Sequence, residues 1–372
     1  MKKLFIVLIV CLVIIPFCIY AQNYQISPIN KKILKDGKMH IYFCGTGSPQ
    51  VEMQGIRKPA CLAVITDGHF FLFDAAEGSI ETIAGMGLPY LSIDKVFMTH
   101  LHSDHFAGLG QVINVTWERG RNTLLDIYGP FGVDKVVNGL NEAYYLDVLY
   151  RAANANGSLD PSMEFGAPHV INYEQLNKPV FQKDKLSVTP FLVDHRPVFP
   201  AYGYTLQYKG CKIVISGDTA VVDSLAKQAK GADILINEVF SHPMQEHNNE
   251  NMLRAITDPK LKQETRESLK NIASYHSDSW DLAKMAQNAG VKNLILTHLV
   301  PTIPTDADSK KLLTQGMDQY YKKVITVVND RDEIVVESDN SGVCRMQYIP
   351  AEQPEIKAID ITDPDESYPV KG

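Results

Sequence analysis

The chain has 372 residues, 45% of them hydrophobic, with 24 Gly and 20 Pro. That excludes a disordered or fibrous protein and leaves one large or two modest globular domains with a real core. The net charge of -7 and isoelectric point near 5.9 argue against a polyanion partner such as tRNA or DNA.

At the N-terminus, Lys2 and Lys3 precede an apolar run from Leu4 to Tyr20, with Ala21 after it. Residues 1–21 therefore read as a secretory signal peptide. An uncleaved membrane anchor is the alternative, because the run is near the length that spans a bilayer. Cleavage would remove Lys2 and Lys3, take the net charge from -7 to -9, and place the mature chain in the periplasm or outside the cell. Four cysteines then remain, Cys44, Cys61, Cys211 and Cys344, with no Cys-x-x-Cys spacing. An oxidising compartment permits one or two disulfides. The apolar, strand-like surroundings of Cys44, Cys61 and Cys211 suit buried thiols equally well.

Met39 to Phe43 reads as a strand running into the turn Gly45-Thr46-Gly47-Ser48-Pro49, whose glycines would let the backbone come close to a neighbouring loop. Cys61–Thr66 and Phe70–Phe73 are strands joined by the hairpin signal Asp67-Gly68. Asp74 follows, leading into a helix that ends near Gly87; it either orients a nearby imidazole or caps that helix. Lys95–Met98 is a buried strand, a helix opens over Phe106–Val112, and Thr123–Tyr128 is another strand. A long helix starts at Val133. Residues 133–180 form a helical insertion, within which 146–166 is the expected lid, with Tyr144, Tyr145, Tyr150 and Phe165 as pocket candidates. Strands then fall at Leu186–Val193, Tyr202–Tyr208, Lys212–Ile215, Ile234–Asn237, Leu294–Thr297, Val324–Val328 and Glu333–Glu337. Helices lie over Val222–Ala229, Leu261–Tyr275 and Ser279–Asn288. The strands form two sets, 39–128 and 186–336, which predicts two sheets face to face with helices outside: an α/β, four-layer αββα sandwich over 22–345, followed by an acidic tail, 346–372.

The stretch Thr99-His100-Leu101-His102-Ser103-Asp104-His105 places three imidazoles and a carboxylate within six residues, just after an apolar strand. Extended residues two apart point the same way, so His100 and His102 can grip one ion. The following turn can carry Asp104 and His105 to a second ion about 3.5–4 Å away. Imidazole with carboxylate suits zinc, with iron and manganese as alternatives. Other buried strands also end in such groups: Asp74, His195, Asp218, Glu238 and His298. Loops at one edge of layered sheets are where such groups converge.

Together with His195, Ser216-Gly217-Asp218-Thr219 and Leu296-Thr297-His298, the 99–105 stretch resembles the signature of the metallo-beta-lactamase superfamily. Gly45 to Pro49, Asp194-His195-Arg196 with Tyr202-Gly203-Tyr204, Asn237-Glu238 and His276-Ser277 resemble the branch holding ribonuclease Z and the zinc-dependent arylsulfatases. The resemblance implies His100, His102 and His195 as ligands of one Zn2+, Asp104, His105 and His298 as ligands of the other, and Asp218 as the bridge. A water shared by the ions would be the nucleophile, with Asp104 orienting it. His276 held by Glu238 would protonate the leaving oxygen or bind an anionic one. Arg196 adjoins a ligand yet can point away to an acidic partner, and His242 and His247 lie on a polar stretch facing solvent.

The expected function is a secreted or periplasmic binuclear metal-dependent hydrolase of a small anionic ester, with an arylsulfatase-like sulfate esterase placed first. Phosphodiesterase is the first alternative, then a ribonuclease Z-like nuclease or lactonase. Only 23 positions separate His195 from Asp218, too few for the tRNA-gripping arm of ribonuclease Z, and a secreted acidic protein would rarely meet precursor tRNA. A metal-binding module without catalysis is the non-enzymatic alternative, and it would predict the loss of one or more of the seven donors. Cleavage of the signal leaves no stable membrane span, and a homodimer is allowed.

Overall fold

The computed structural model describes residues 29–339 and 342–352. The expected signal peptide lies outside them, as does the acidic tail from 353 onward. The strands are β1 (Met39–Gly45), β2 (Cys61–Thr66), β3 (His69–Phe73), β4 (Ile93–Phe97), β5 (Leu125–Gly129), β6 (Gly166–Val170), β7 (Phe181–Lys183), β8 (Leu186–His195), β9 (Val198–Tyr208), β10 (Cys211–Ile215), β11 (Ile234–Phe240), β12 (Asn293–Val300), β13 (Val324–Val327), β14 (Glu333–Ser338) and β15 (Cys344–Ile349). The helices are α1 (Ser79–Gly85), α2 (Ser103–Phe106), α3 (Leu109–Glu118), α4 (Val133–Asn154), α5 (Asp223–Ala229), α6 (His242–Ala255), α7 (Pro259–Ser274), α8 (Ser279–Ala289) and α9 (Ala307–Leu313). One sheet has eight strands in the order β15-β14-β1-β2-β3-β4-β5-β6. The other has seven, β13-β12-β11-β10-β9-β8-β7.

Side-chain alternation explains the layering. Every residue of β1 is buried, because both faces of its sheet are covered. Ile41 and Phe43 point into the core between the sheets, where they join Phe71, Phe97, Tyr204 and Ile236. Tyr42 and Cys44 point the other way, into a second core with Ile80 of α1, Val112 of α3 and Val137 of α4. A third core packs Val214, Leu235 and Leu296 of the seven-stranded sheet against Leu225 of α5, Leu282 of α8 and Leu313 of α9. Three cores between four layers give the expected αββα sandwich.

The two strand sets differ from expectation at their ends. The strand at 333–338 pairs antiparallel with β1, so the chain returns to the first sheet instead of finishing the second. Beyond it β15 adds a further antiparallel strand and runs past residue 345, where the acidic tail was expected to begin. Within the expected helical insertion 133–180, residues 166–170 form β6, parallel to β5. The four described cysteines form two disulfides. Cys44–Cys61 joins neighbouring strands, with Cα atoms 4.9 Å apart. Cys211–Cys344 joins β10 to β15, at 5.2 Å. No helix among the described residues is long and apolar enough to cross a membrane.

The fold brings the site together through strand direction. Strands β3, β4 and β5 run parallel in one sheet, and β10, β11 and β12 run parallel in the other. Their C-terminal ends supply Asp74, His100, Asp218, Glu238 and His298, as expected for ligand-bearing loops in parallel sheets.

Candidate metal centre

The connection after β4 carries His100 and His102, the latter in extended backbone, and α2 then brings in Asp104 and His105. His195 ends β8. Asp218 follows β10 across Gly217, whose φ of +62° and close approach favour glycine. A Cβ there would stand 2.8 Å from the carbonyl oxygen of Tyr202 and 2.9 Å from the Cβ of Thr99. His298 is the extra residue of a bulge between β11 and β12, with a φ of +42°. Bulges re-aim side chains beside active sites, and this one is occupied by a donor.

Four clusters of donors result, the ligand atoms of each lying within 4.8 Å of one another: His100, His102 and His195; His100, His105 and Asp218; Asp104, His105 and His298; His195, Asp218 and His276. The first and third are the two triads expected from the sequence, and Asp218 joins members of both. The structure thus brings together all seven expected ligands. His276 adds an approach that the ligand pattern did not foresee. Nε2 of His105, Nδ1 of His298 and Oδ1 of Asp218 are buried with no hydrogen-bond partner. Buried polar atoms need partners, and a divalent cation fits His105 Nε2, which faces Asp218 Oδ2 at 3.5 Å and Asp104 Oδ2 at 3.7 Å.

Neighbouring charges tune the set. Burial, with His105 next to it, pushes His100 well below the ordinary imidazole value. Burial likewise lowers His102 and His195, which favours the neutral form that a ligand imidazole needs. Burial alone would raise Asp218, but His298 and His105 reverse it and hold the carboxyl well below its usual range. Asp74 resolves toward orientation. Its Oδ2 accepts from His105 Nδ1 and from the Thr99 hydroxyl, each at 2.8 Å, and its Oδ1 accepts from Thr99 N–H at 2.8 Å. That fixes Nε2 of His105 as the atom facing the cluster. His276 Nδ1 lies 2.9 Å from Glu238 Oε1. Burial works against its charge, but the Glu238 carboxylate prevails and raises it to about 9. Glu238 Oε1 also accepts from the backbone of Thr219 and Ser277, so the pair is held to both the loop after β10 and the turn before α8.

Arg196 turns away, donating from Nε to Asp194 Oδ1 at 2.8 Å. His242 bonds Asp278 at 2.6 Å and stacks on Trp280, and His247 bonds Asn251. The Gly45–Pro49 turn lies against the chain just past His298, Thr46 O accepting from Leu299 N–H at 3.0 Å.

A cavity of about 290 Å3 opens beside the donors, and His102, Asp104, His195, Asp218, His276 and His298 line it. Its remaining wall corrects the lid expectation. No residue of 146–166 lines it, and Tyr145 and Tyr150 are exposed elsewhere. Gln245 of α6 and Leu269 and Ile272 of α7 line it instead. The sequence shows an apolar stripe on α7 but not what the stripe faces.

A model of the beta-lactamase superfamily domain matches residues 69–299. Ribonuclease Z of Mycobacterium bovis is 31% identical over 268 residues, 71% of this chain and 87% of that protein. Ribonuclease Z of Mycolicibacterium gilvum is 30% identical over 310 residues, 82% of this chain and 98% of that one. Among solved structures, a metallo-beta-lactamase fold protein of Bacillus subtilis superposes with a TM-score of 0.57 at 16% identity, covering 80% of this chain and 99% of that chain. The relatives overturn the expectation that nucleic acid is not a partner. A net charge sums the whole surface and does not exclude a nucleic-acid substrate at one site.

Proposed function

Because this chain belongs to the metallo-beta-lactamase superfamily, we propose that the metal-dependent hydrolase it encodes is a phosphodiesterase, acting on RNA or a smaller nucleotide diester. The observation that carries this is the convergence of seven donors into two joined triads in a chain about 30% identical to ribonuclease Z over most of its length. Those relatives favour a phosphodiester over the sulfate ester placed first from sequence. Zinc is the metal we assign, because imidazoles outnumber carboxylates in the donor set. A secreted or periplasmic location is supported by the two disulfides.

His100, His102 and His195 would hold one ion, Asp104, His105 and His298 the other, and Asp218 would reach both. Two such ions supply polarisation of the phosphoryl oxygens and a lowered pKa for the attacking water. Asp104 presents a carboxylate oxygen at the cavity wall, where it can take the proton of that water. His276 also lines the cavity, and Glu238 holds its Nδ1, which leaves Nε2 to pass a proton to the departing oxygen. Glu238 stabilises the charged imidazole before the transfer. Asp74, through His105, fixes one donor's orientation.

Metal analysis followed by assays on bis(p-nitrophenyl) phosphate, an RNA oligonucleotide and p-nitrophenyl sulfate tests the reading. Diester cleavage that disappears on chelation is expected, and faster turnover of the sulfate ester would overturn it. His276→Ala should lower turnover by about 10²–10⁴-fold with metal content retained. Loss of metal in that variant would remove the proton-donor role.

A further inference from the structure

The wall that α6 and α7 add to the cavity is not required to hold any ion. Leu269 and Ile272 stand three apart on one face of α7, Tyr275 follows just past its end, and all three line the cavity beside the donors. Gln245 from α6 and Phe240 at the end of β11 extend the same wall. No residue of α7 is buried, so this helix contributes little to any core. Its half-buried stripe is turned to the site.

Aliphatic side chains offer a phosphate nothing; its oxygens belong with the metals and imidazoles. What the wall suits is the group esterified to the phosphorus. Leu269 and Ile272 give aliphatic surface, Phe240 and Tyr275 give aromatic rings, and Gln245 gives one amide. A heterocyclic base matches that set, with a π-face to stack and a polar edge to bond. The cavity of about 290 Å3 lies just below the roughly 300–1,000 Å3 of ligand sites. That size suits a single small unit and not a longer strand.

We propose that the α6–α7 pair is a specificity wall, in which Leu269 and Ile272 hold the base of the nucleotide next to the scissile phosphorus. The proposal rests on the phosphodiesterase reading and is tested by binding instead of turnover. The metal-loaded protein is titrated calorimetrically with adenosine 5′-monophosphate and, separately, with inorganic phosphate. The double variant Leu269→Ala/Ile272→Ala should lose at least tenfold in affinity for the nucleotide, the scale of small losses from an apolar pocket. Its affinity for phosphate should stay within twofold. Ile272→Val, which trims one methylene, should give a smaller loss of the same kind. Leu261→Ala, at an exposed position of the same helix, should bind both as the wild type does. Equal nucleotide affinity in wild type and double variant overturns the proposal, and so does parallel loss of nucleotide and phosphate. Base-selective binding in a protein that cleaves no diester would support the wall and sink the phosphodiesterase reading alone.

Discussion

Glu164 offers a sharp test of how charge is buried away from the site. Its side chain is fully buried, and neither carboxyl oxygen has a hydrogen-bond partner. The nearest cation is the buried Arg121, but that guanidinium is spent. Nε donates to Thr116 Oγ1, Nη1 to the carbonyls of Thr123 and Met163, and Nη2 to those of Ile113 and Glu164. All five N–H groups are used, none on the carboxyl. Burial therefore raises Glu164 to about 7 from an ordinary value of 4.5, with Arg121 pulling only partly back. The folded protein holds this proton up to about pH 7, whereas the unfolded chain releases it near 4.5. Stability is thus lost as pH rises between those values. At pH 8 the loss amounts to roughly 2–3 kcal/mol, or a melting temperature lower by about 5 °C. Glu164→Gln removes the titration while keeping the shape. Thermal melts from pH 5 to 8.5 should show the variant matching the wild type at pH 5 and exceeding it by that margin at pH 8. Parallel curves across the range would refute the argument.

Asp74→Asn keeps the size of the side chain but puts an N–H₂ against donors from Thr99 or His105. Metal affinity should fall about 10–100-fold in competition with a chelator, and unchanged affinity would mean that the backbone alone orients His105. His40 is clamped between Glu333 Oε1 at 2.6 Å and Asp36 Oδ2 at 2.8 Å. Burial would lower its pKa, but these two carboxylates outweigh it and raise it. The clamp therefore contributes fully below the ordinary imidazole value near 6.5 and is lost as pH rises through the raised one. On the acid side, burial would raise Asp36, but its bonds to Lys38 N–H and His40 lower it, so its share is lost as pH falls through that lowered value. His40→Gln should cost roughly 1–2 kcal/mol near pH 6 and progressively less as pH rises above it, read from urea unfolding across an alkaline series.

How much of this was legible in the sequence depended on whether a feature is local. His100 to His105 lie within one turn and one strand end, and their meaning follows from spacing alone. His195, Asp218 and His298 were readable because each ends an apolar run, and apolar runs locate strands. The Glu238–His276 pair needed the family resemblance, since 38 residues separate its members. Three strands escaped: β7 spans only three residues, too few for a pattern, and the other two escaped for opposite reasons. Gly166 to Val170 contains glycine and proline, which weaken a strand signal. The other, β15, alternates cleanly but adjoins an acidic tail. The wall at Leu269 and Ile272 escaped because periodicity shows which face of a helix is apolar, not what it meets. Instead, the Tyr-bearing stretch at 144–150 drew attention on α4, whose Tyr145, Leu146, Leu149 and Tyr150 stand exposed.

The Cys211–Cys344 bond joins a strand inside one sheet to the outermost strand of the other. A covalent rivet through the sandwich opposes sliding of its halves, so the floor bearing the donors behaves as a fixed anvil. Adjustment to substrates of different bulk then falls to the lightly anchored α6–α7 pair, and changes there can retune selectivity while the ion seats keep their geometry.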